Sequence, residues 1–303
     1  MNDGRVSAHG LTKQYRGVRA VDDLSFRVEP GRVTGFLGPN GAGKTTTLRM
    51  LLNLVTPTAG TATIGGRRYA DLEEPTRVVG AVLEASAAHA GRTGRHHLQA
   101  ACFATGLPLR RADEVLELVG LTPAGDRMFK GYSLGMRQRL GIATAMLGDP
   151  RVLILDEPAN GLDPEGIRWM RELLQGLADE GRTVLVSSHL LAEMQALADD
   201  VVIVAAGRLL RQGPVHQVIA DVPSGRERVE VVTPEPDKLA HALRSAGATA
   251  SSTGPRLLVT GMSAAAVGDT ALLTGVALHG LRAQQADLED VFLELTAGKA
   301  GIR

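Results

Sequence analysis

Residues 38–45 read Gly38, Pro39, Asn40, Gly41, Ala42, Gly43, Lys44, Thr45 and match the pattern G-x-x-x-x-G-K-[ST] at every fixed position. The chemistry of such a loop is polyphosphate capture. Glycines let the backbone curl until successive N–H groups point at one anion. A helix starting there adds its positive dipole end and its unpaired donors, with Thr46 in the first turn. Lys44 supplies charge between the β- and γ-phosphates, and the Thr45 hydroxyl is placed to ligate Mg²⁺. An ordinary glycine turn would have no need of Lys-Thr in register. The expected ligand is a nucleoside triphosphate.

A second group of residues is Arg151-Val152-Leu153-Ile154-Leu155-Asp156-Glu157-Pro158. Four consecutive apolar residues make a strand buried on both faces, and its C-terminal end is where open α/β sheets bind ligands. Strand alternation would send Asp156 and Glu157 in opposite directions, to different tasks. Asp156 suits Mg²⁺, directly or through its outer shell. Glu157 suits a general base, or an orienter of the water that attacks a γ-phosphate. A charged strand end that only caps a loop is the competing reading, and the phosphate loop upstream weighs against it. Thr183 to Val186 forms another buried run ending in Ser187-Ser188-His189, so His189 is a candidate γ-phosphate contact at a strand C-terminus.

Tyr132-Ser133-Leu134-Gly135-Met136-Arg137-Gln138-Arg139 leads into an apolar helix over Leu140 to Leu147. Ser133 at the helix mouth, with Gly135 two residues on, offers a hydroxyl and backbone donors to an anion. Alone, this is also simply an N-capped helix. Tyr15, on a polar connection, either packs or stacks on a base, and its spacing ahead of Gly38 favours stacking. His89, His96 and His97 have no carboxylate or cysteine at ligand spacing and are expected to be solvated, with no metal site. Cys102 lies in no cysteine motif and reads as a small buried apolar residue.

The elements that must hold these groups follow from periodicity. Val33 to Leu37 reads as a buried strand, and Thr45 to Asn53 as a helix with Leu48, Leu51 and Leu52 inward. Residues 5–30 suggest two or three short strands ending at the turn Glu29-Pro30-Gly31. Thr61 to Ile64 and Val78 to Leu83 read as strands, Arg111 to Val119 and Ile167 to Ala178 as helices, and Val201 to Val204 as a strand closing near Gly213-Pro214. Beyond 223 the pattern changes. Strands are expected at Arg226 to Val232, Arg256 to Thr260 and Val276 to Leu281. Helices are expected at Asp237 to Ala246, Ala264 to Leu273 and a final segment carrying Leu288, Val291, Phe292 and Leu295. That alternation, with no catalytic grouping, predicts a small α+β domain.

Composition narrows the class. A 303-residue chain has room for a large domain and a smaller one. Equal numbers of basic and acidic residues, 33 each, argue against a broad nucleic-acid footprint. One cysteine cannot form an internal disulfide, which suits a reducing cytoplasm. Met1 to Arg5 shows no apolar signal core, and runs such as Val201 to Ala206 are too short to span a bilayer. A soluble protein is expected, reaching any membrane through a partner.

The order of these motifs resembles the nucleotide-binding subunit of ABC transporters. GPNGAGKT (38–45) and LILDEP (153–158) occur in several ATPase families. YSLGMRQR (132–139) looks like the ABC signature, and ANGLDP (159–164) and SSH (187–189) complete the set. The resemblance implies an α/β P-loop NTPase fold of ABC type over 1–220, with a helical subdomain at about 85–148, and an accessory α+β domain over 223–303. It implies ATP and Mg²⁺ as cofactors. Tyr15 would stack on adenine, Lys44 and Thr45 would bind phosphate and Mg²⁺, and Asp156 would bind Mg²⁺. Glu157 would be the catalytic carboxylate and His189 the γ-phosphate switch. Ser133 and Gly135 would complete the site of an opposite subunit, with Asp163 at the same interface.

Leu134 and Met136 depart from the usual Leu-Ser-Gly-Gly-Gln, whereas Ser133 and Gly135 remain. The position that usually carries the Q-loop glutamine, after Val82-Leu83, holds Glu84, which when ionised accepts hydrogen bonds but cannot donate them. One motif set per chain predicts a head-to-tail homodimer through the ATP sites. The tail around Leu288 to Leu293 is similar to drug-resistance and polysaccharide-export subunits. That likeness implies an exporter, a separate integral membrane permease and a peripheral place on the cytoplasmic face of the membrane. No nucleic-acid partner is expected. No Asn-Lys-x-Asp guanine-reading sequence occurs, which disfavours a GTPase.

Overall fold

The computed structural model of the chain describes residues 4–83, 88–221, 228–284 and 287–297; Glu84 lies outside them. The chain divides into two compact units, Met1–Val215 with Thr296–Arg303, and His216–Leu295.

The first unit opens with β1 (Val6–Tyr15) and β2 (Val18–Val28), then β3 (Arg32–Leu37), α1 (Lys44–Leu51), β4 (Ala59–Ile64), α2 (Pro75–Val78) and β5 (Val79–Val82). The helical stretch follows as α3 (Gly94–Thr105), α4 (Arg111–Leu118) and α5 (Leu134–Met146). The unit closes with β6 (Val152–Asp156), α6 (Pro164–Asp179), β7 (Thr183–Ser188), α7 (Leu191–Leu197), β8 (Asp200–Ala205) and β9 (Arg208–Pro214).

Of the two or three short strands expected over residues 5–30, two form, and both are long and antiparallel; β4 joins them in the order β2-β1-β4. A six-stranded sheet runs β5-β6-β7-β3-β8-β9, parallel except for the edge hairpin to β9. Its central strands are continuous apolar runs because helices cover both faces. Phe36, Leu48, Ile154, Leu185 and Val202 share one core. Register decides what comes together: Leu37 pairs with Ser188, and Asp156 with Ser187. The C-terminal ends of β3, β6 and β7 therefore lie side by side.

α5 begins at Leu134, well before the expected Leu140, because the Ser133 hydroxyl accepts from the Met136 N–H and caps it there. β5 starts one residue late because Pro75–Val78 forms a helical turn.

After α8 (Val215–Ala220), the second unit runs β10 (Arg228–Val232), α9 (Pro236–Ser245), β11 (Thr249–Thr253), β12 (Arg256–Thr260), α10 (Ala264–Thr274), β13 (Gly280–Gln284) and α11 (Leu288–Thr296). The sheet order β11-β12-β10-β13 is antiparallel throughout, the split βαβ arrangement. Val229, Val231, Leu257 and Val259 face Leu239, Leu243 and Val267 of the two helices. Two differences from the expected elements have local causes. β11 is a polar edge strand with only Ala250 buried, so no apolar pattern marks it. Val276 does not start a strand: its N–H closes the end of α10 on Ala271 O, and its side chain joins the core. β13 therefore starts later, at Gly280.

Candidate active site

The phosphate loop stands between β3 and α1, and its shape depends on two glycines. Gly43 adopts φ 95°, and a Cβ there would lie 2.4 Å from the Ala20 carbonyl oxygen. A Cβ on Gly38 would lie 2.5 Å from the Val204 carbonyl oxygen. Gly43 gives α1 no side-chain cap, so the first-turn N–H groups, those of Thr45 and Thr46 included, keep the helix's positive end open toward an anion.

Lys44 is buried, and its Nζ donates to the Gly38 carbonyl at 2.7 Å. The same nitrogen lies 3.8 Å from Glu157 Oε1. Burial pushes the Lys44 ammonium below its ordinary value, while Glu157 and Asp156 act in the opposite direction. The Thr45 hydroxyl donates to Asp156 Oδ2 at 2.7 Å, and the Ser187 hydroxyl donates to the other oxygen, Oδ1. His189 Nδ1 stands 2.7 Å from Glu157 Oε2.

Asp156 and Glu157 thus converge, against the expectation from strand alternation. β6 ends at Asp156, and Glu157 has φ 51°. A left-handed residue leaves the strand path, so the period-two rule stops applying at that point. A non-glycine residue held this way costs of order 1–3 kcal/mol unless its surroundings fix it. Here the Glu157 N–H donates to both the carbonyl and the hydroxyl of Ser187, each at 3.1 Å.

The remaining candidates stand apart from that cluster. Tyr15 is the last residue of β1, not a loop residue, and is 44% exposed, with Lys13 Nζ 5.1 Å from its ring centroid. The oxygens of Ser133 and Asp163 act as N-caps of α5 and α6, accepting from Met136 and Gly166. Gly135 lies against Leu162 of the Asn160–Pro164 loop. Glu84 is outside the described residues.

Two side chains at the site had no role assigned from their residue types: Ser187, seated on Asp156, and Gln138, buried with its Nε2 toward the Glu157 carbonyl. Gln138 stands between Arg137 and Arg139, ahead of the expected apolar helix, so no local pattern marked it as buried. His97 also differs from expectation. It is half-buried, and it lines an apolar groove of about 600 Å³ with Tyr69, Val79, Ala101, Phe129 and Leu140. Cys102 is buried, as expected.

A family model described as ABC transporter matches residues 21–160. The bacitracin transport ATP-binding protein BcrA of Bacillus licheniformis is 46% identical over 69% of this chain and 69% of that protein. The daunorubicin/doxorubicin resistance ATP-binding protein DrrA of Streptomyces peucetius is 33% identical over 98% of this chain and 94% of that protein. The chain belongs to the ABC transporter ATP-binding proteins. As a member of that family it binds and hydrolyses ATP. A solved structure described as the ATP-binding subunit of an ABC transporter superposes on this subunit with a TM-score of 0.65, at 29% identity, over 71% of this chain and 92% of that one. A family model for a domain of unknown function matches residues 227–289 of the ABC subunit. Among the described residues, no helix is long and apolar enough to cross a membrane.

Proposed function

We propose that the chain is the motor of an exporter. Two copies close head to tail on ATP, and the opening that follows hydrolysis is passed to a separate membrane permease. The observation that carries this reading is the meeting of Lys44, Thr45, Asp156, Glu157 and His189 at the ends of three adjacent strands.

In this reading residues 38–46 cradle the phosphates, and Lys44 offsets their charge. The Thr45 hydroxyl and the Asp156 carboxylate are hard oxygen donors already joined at 2.7 Å, a donor set that fits Mg²⁺. When bound, the ion would neutralise phosphate charge. Glu157 accepts the proton of the attacking water or aims it, and His189 holds the carboxylate and reaches the γ-phosphate. Tyr15 stacks on the adenine. Ser133, Gly135 and Asp163 belong to the face offered to the second copy.

The 600 Å³ groove around His97 and Phe129 supports docking of a permease segment, which would hold the subunit on the cytoplasmic face of the membrane. The second unit is an accessory domain of the same subunit. The bacitracin and daunorubicin relatives support a small antibiotic or drug as cargo.

The test pairs sizing with turnover. Glu157→Gln should lose hydrolysis and form a dimer only with Mg-ATP. A Glu157→Gln chain that stays monomeric at saturating Mg-ATP would refute the shared site. Unimpaired efflux in a strain carrying that variant would replace export with a regulatory role.

A further inference from the structure

Gln138 lies on α5 one turn after Gly135 and is 3% exposed. A buried primary amide costs a few kcal/mol unless it finds partners. Its Nε2 donates to the main-chain carbonyl of Glu157 at 3.4 Å, the carbonyl that also accepts from the Asn160 N–H at 3.2 Å. Glu157 is the left-handed residue whose N–H is held by Ser187. Its backbone is therefore gripped from two elements, through the N–H by β7 and through the carbonyl by α5. Gln138 and Glu157 also line one cavity of about 270 Å³ with Leu134, Arg137, Asp156 and Asn160.

We propose that Gln138 is a positioning residue for hydrolysis: it fixes the turn at Glu157 and ties the aim of that carboxylate to the seating of α5. The inference rests on the reading of Glu157 as the group that prepares the attacking water. α5 opens with Ser133 and Gly135, which that reading gives to the ATP of a second copy. One helical turn, about 5 Å, separates that end from Gln138, and a helix moves as a rigid body. Seating of α5 on the second copy's ATP is thereby passed to Glu157 of the same chain. A donor–acceptor distance of 3.4 Å exceeds the usual ~2.9–3.0 Å, which leaves room for the bond to tighten on closure.

The experiment is single-turnover hydrolysis of radiolabelled Mg-ATP by the full chain, followed over hours. It compares wild type, Gln138→Met, Glu157→Gln and the double variant. Gln138→Met should slow hydrolysis tenfold or more while leaving the ATP Kd and the melting temperature unchanged. In the Glu157→Gln background the same change should cost less than twofold, because the two residues act as one unit. If Gln138→Met melts early, Gln138→Leu, branched and again without a donor, should show the same loss of rate. Hydrolysis within twofold of wild type, an equal loss in both backgrounds, or a loss of affinity in place of rate overturns the proposal. A silent Gln138→Met beside an inactive Glu157→Gln removes the proposal alone. Wild-type turnover in Glu157→Gln removes the reading of Glu157, and the proposal with it.

Discussion

His189 Nδ1 approaches Glu157 Oε2 to 2.7 Å, although the two residues follow different strands, 32 positions apart in the chain. The His189 N–H also donates to that oxygen, at 3.4 Å. The carboxylate that would prepare a water is therefore held from β7 as well as by its own turn. Positioned proton transfer contributes about 10²- to 10⁴-fold to a rate. Glu157→Gln is expected to lower turnover by at least about 100-fold. His189→Ala should lower it about tenfold to 100-fold, the worth of one charge-assisted hydrogen bond. Steady-state phosphate release measures both, and a His189→Ala chain as fast as wild type would exclude this role for the bond.

Tyr15 keeps 44% of its surface exposed, with Lys13 near one face of its ring. Stacking of a base on an aromatic ring is worth about 1–3 kcal/mol. Tyr15→Ala should weaken ATP binding about 5- to 150-fold, leave tripolyphosphate binding unchanged, and be rescued by Tyr15→Phe. Calorimetric titration with both ligands separates this from a packing role, which would weaken the two alike.

Gly43→Ala places a methyl group 2.4 Å from the Ala20 carbonyl oxygen at φ 95°. The left-handed backbone costs a Cβ-bearing residue about 1–2 kcal/mol, and the clash adds to it. The variant is expected to lose about 2 kcal/mol or more of stability and over tenfold in ATP affinity. Urea unfolding measures the first and nucleotide titration the second. A chain of unchanged stability would show that the loop relaxes freely.

Burial, aided by the charge of Arg92, holds the His97 imidazole below its ordinary value of 6.5. The unfolded chain then takes this proton more readily than the folded one. Stability from this group is intact above pH 6.5 and is lost as the pH falls from there through the lower folded value. His97→Gln should therefore shrink the drop in melting temperature between pH 7 and pH 5. An identical drop in both proteins would show that His97 titrates as it does in the unfolded chain.

The sequence by itself determined the chemistry of this subunit and the order of its parts. The phosphate loop, the Asp156-Glu157 strand end and the Ser187-Ser188-His189 end were legible because each is a short local pattern whose residue types have few other uses. The α+β character of the second unit was also legible, from alternating apolar periods. What stayed hidden depends on groups far apart in the chain. Strand alternation predicted diverging carboxylates, and only the left-handed backbone at Glu157, pinned by Ser187, turns both toward Lys44 and Thr45. The polar edge strand β11 carries no apolar period, because it pairs on one side only and buries one residue. Gln138 finds its meaning in the carbonyl 19 residues away that it faces, and His97 in the groove that half-covers it. Composition and spacing specify which groups a chain can offer. Which of them meet is decided by sheet register and by the need of each buried polar group for a partner.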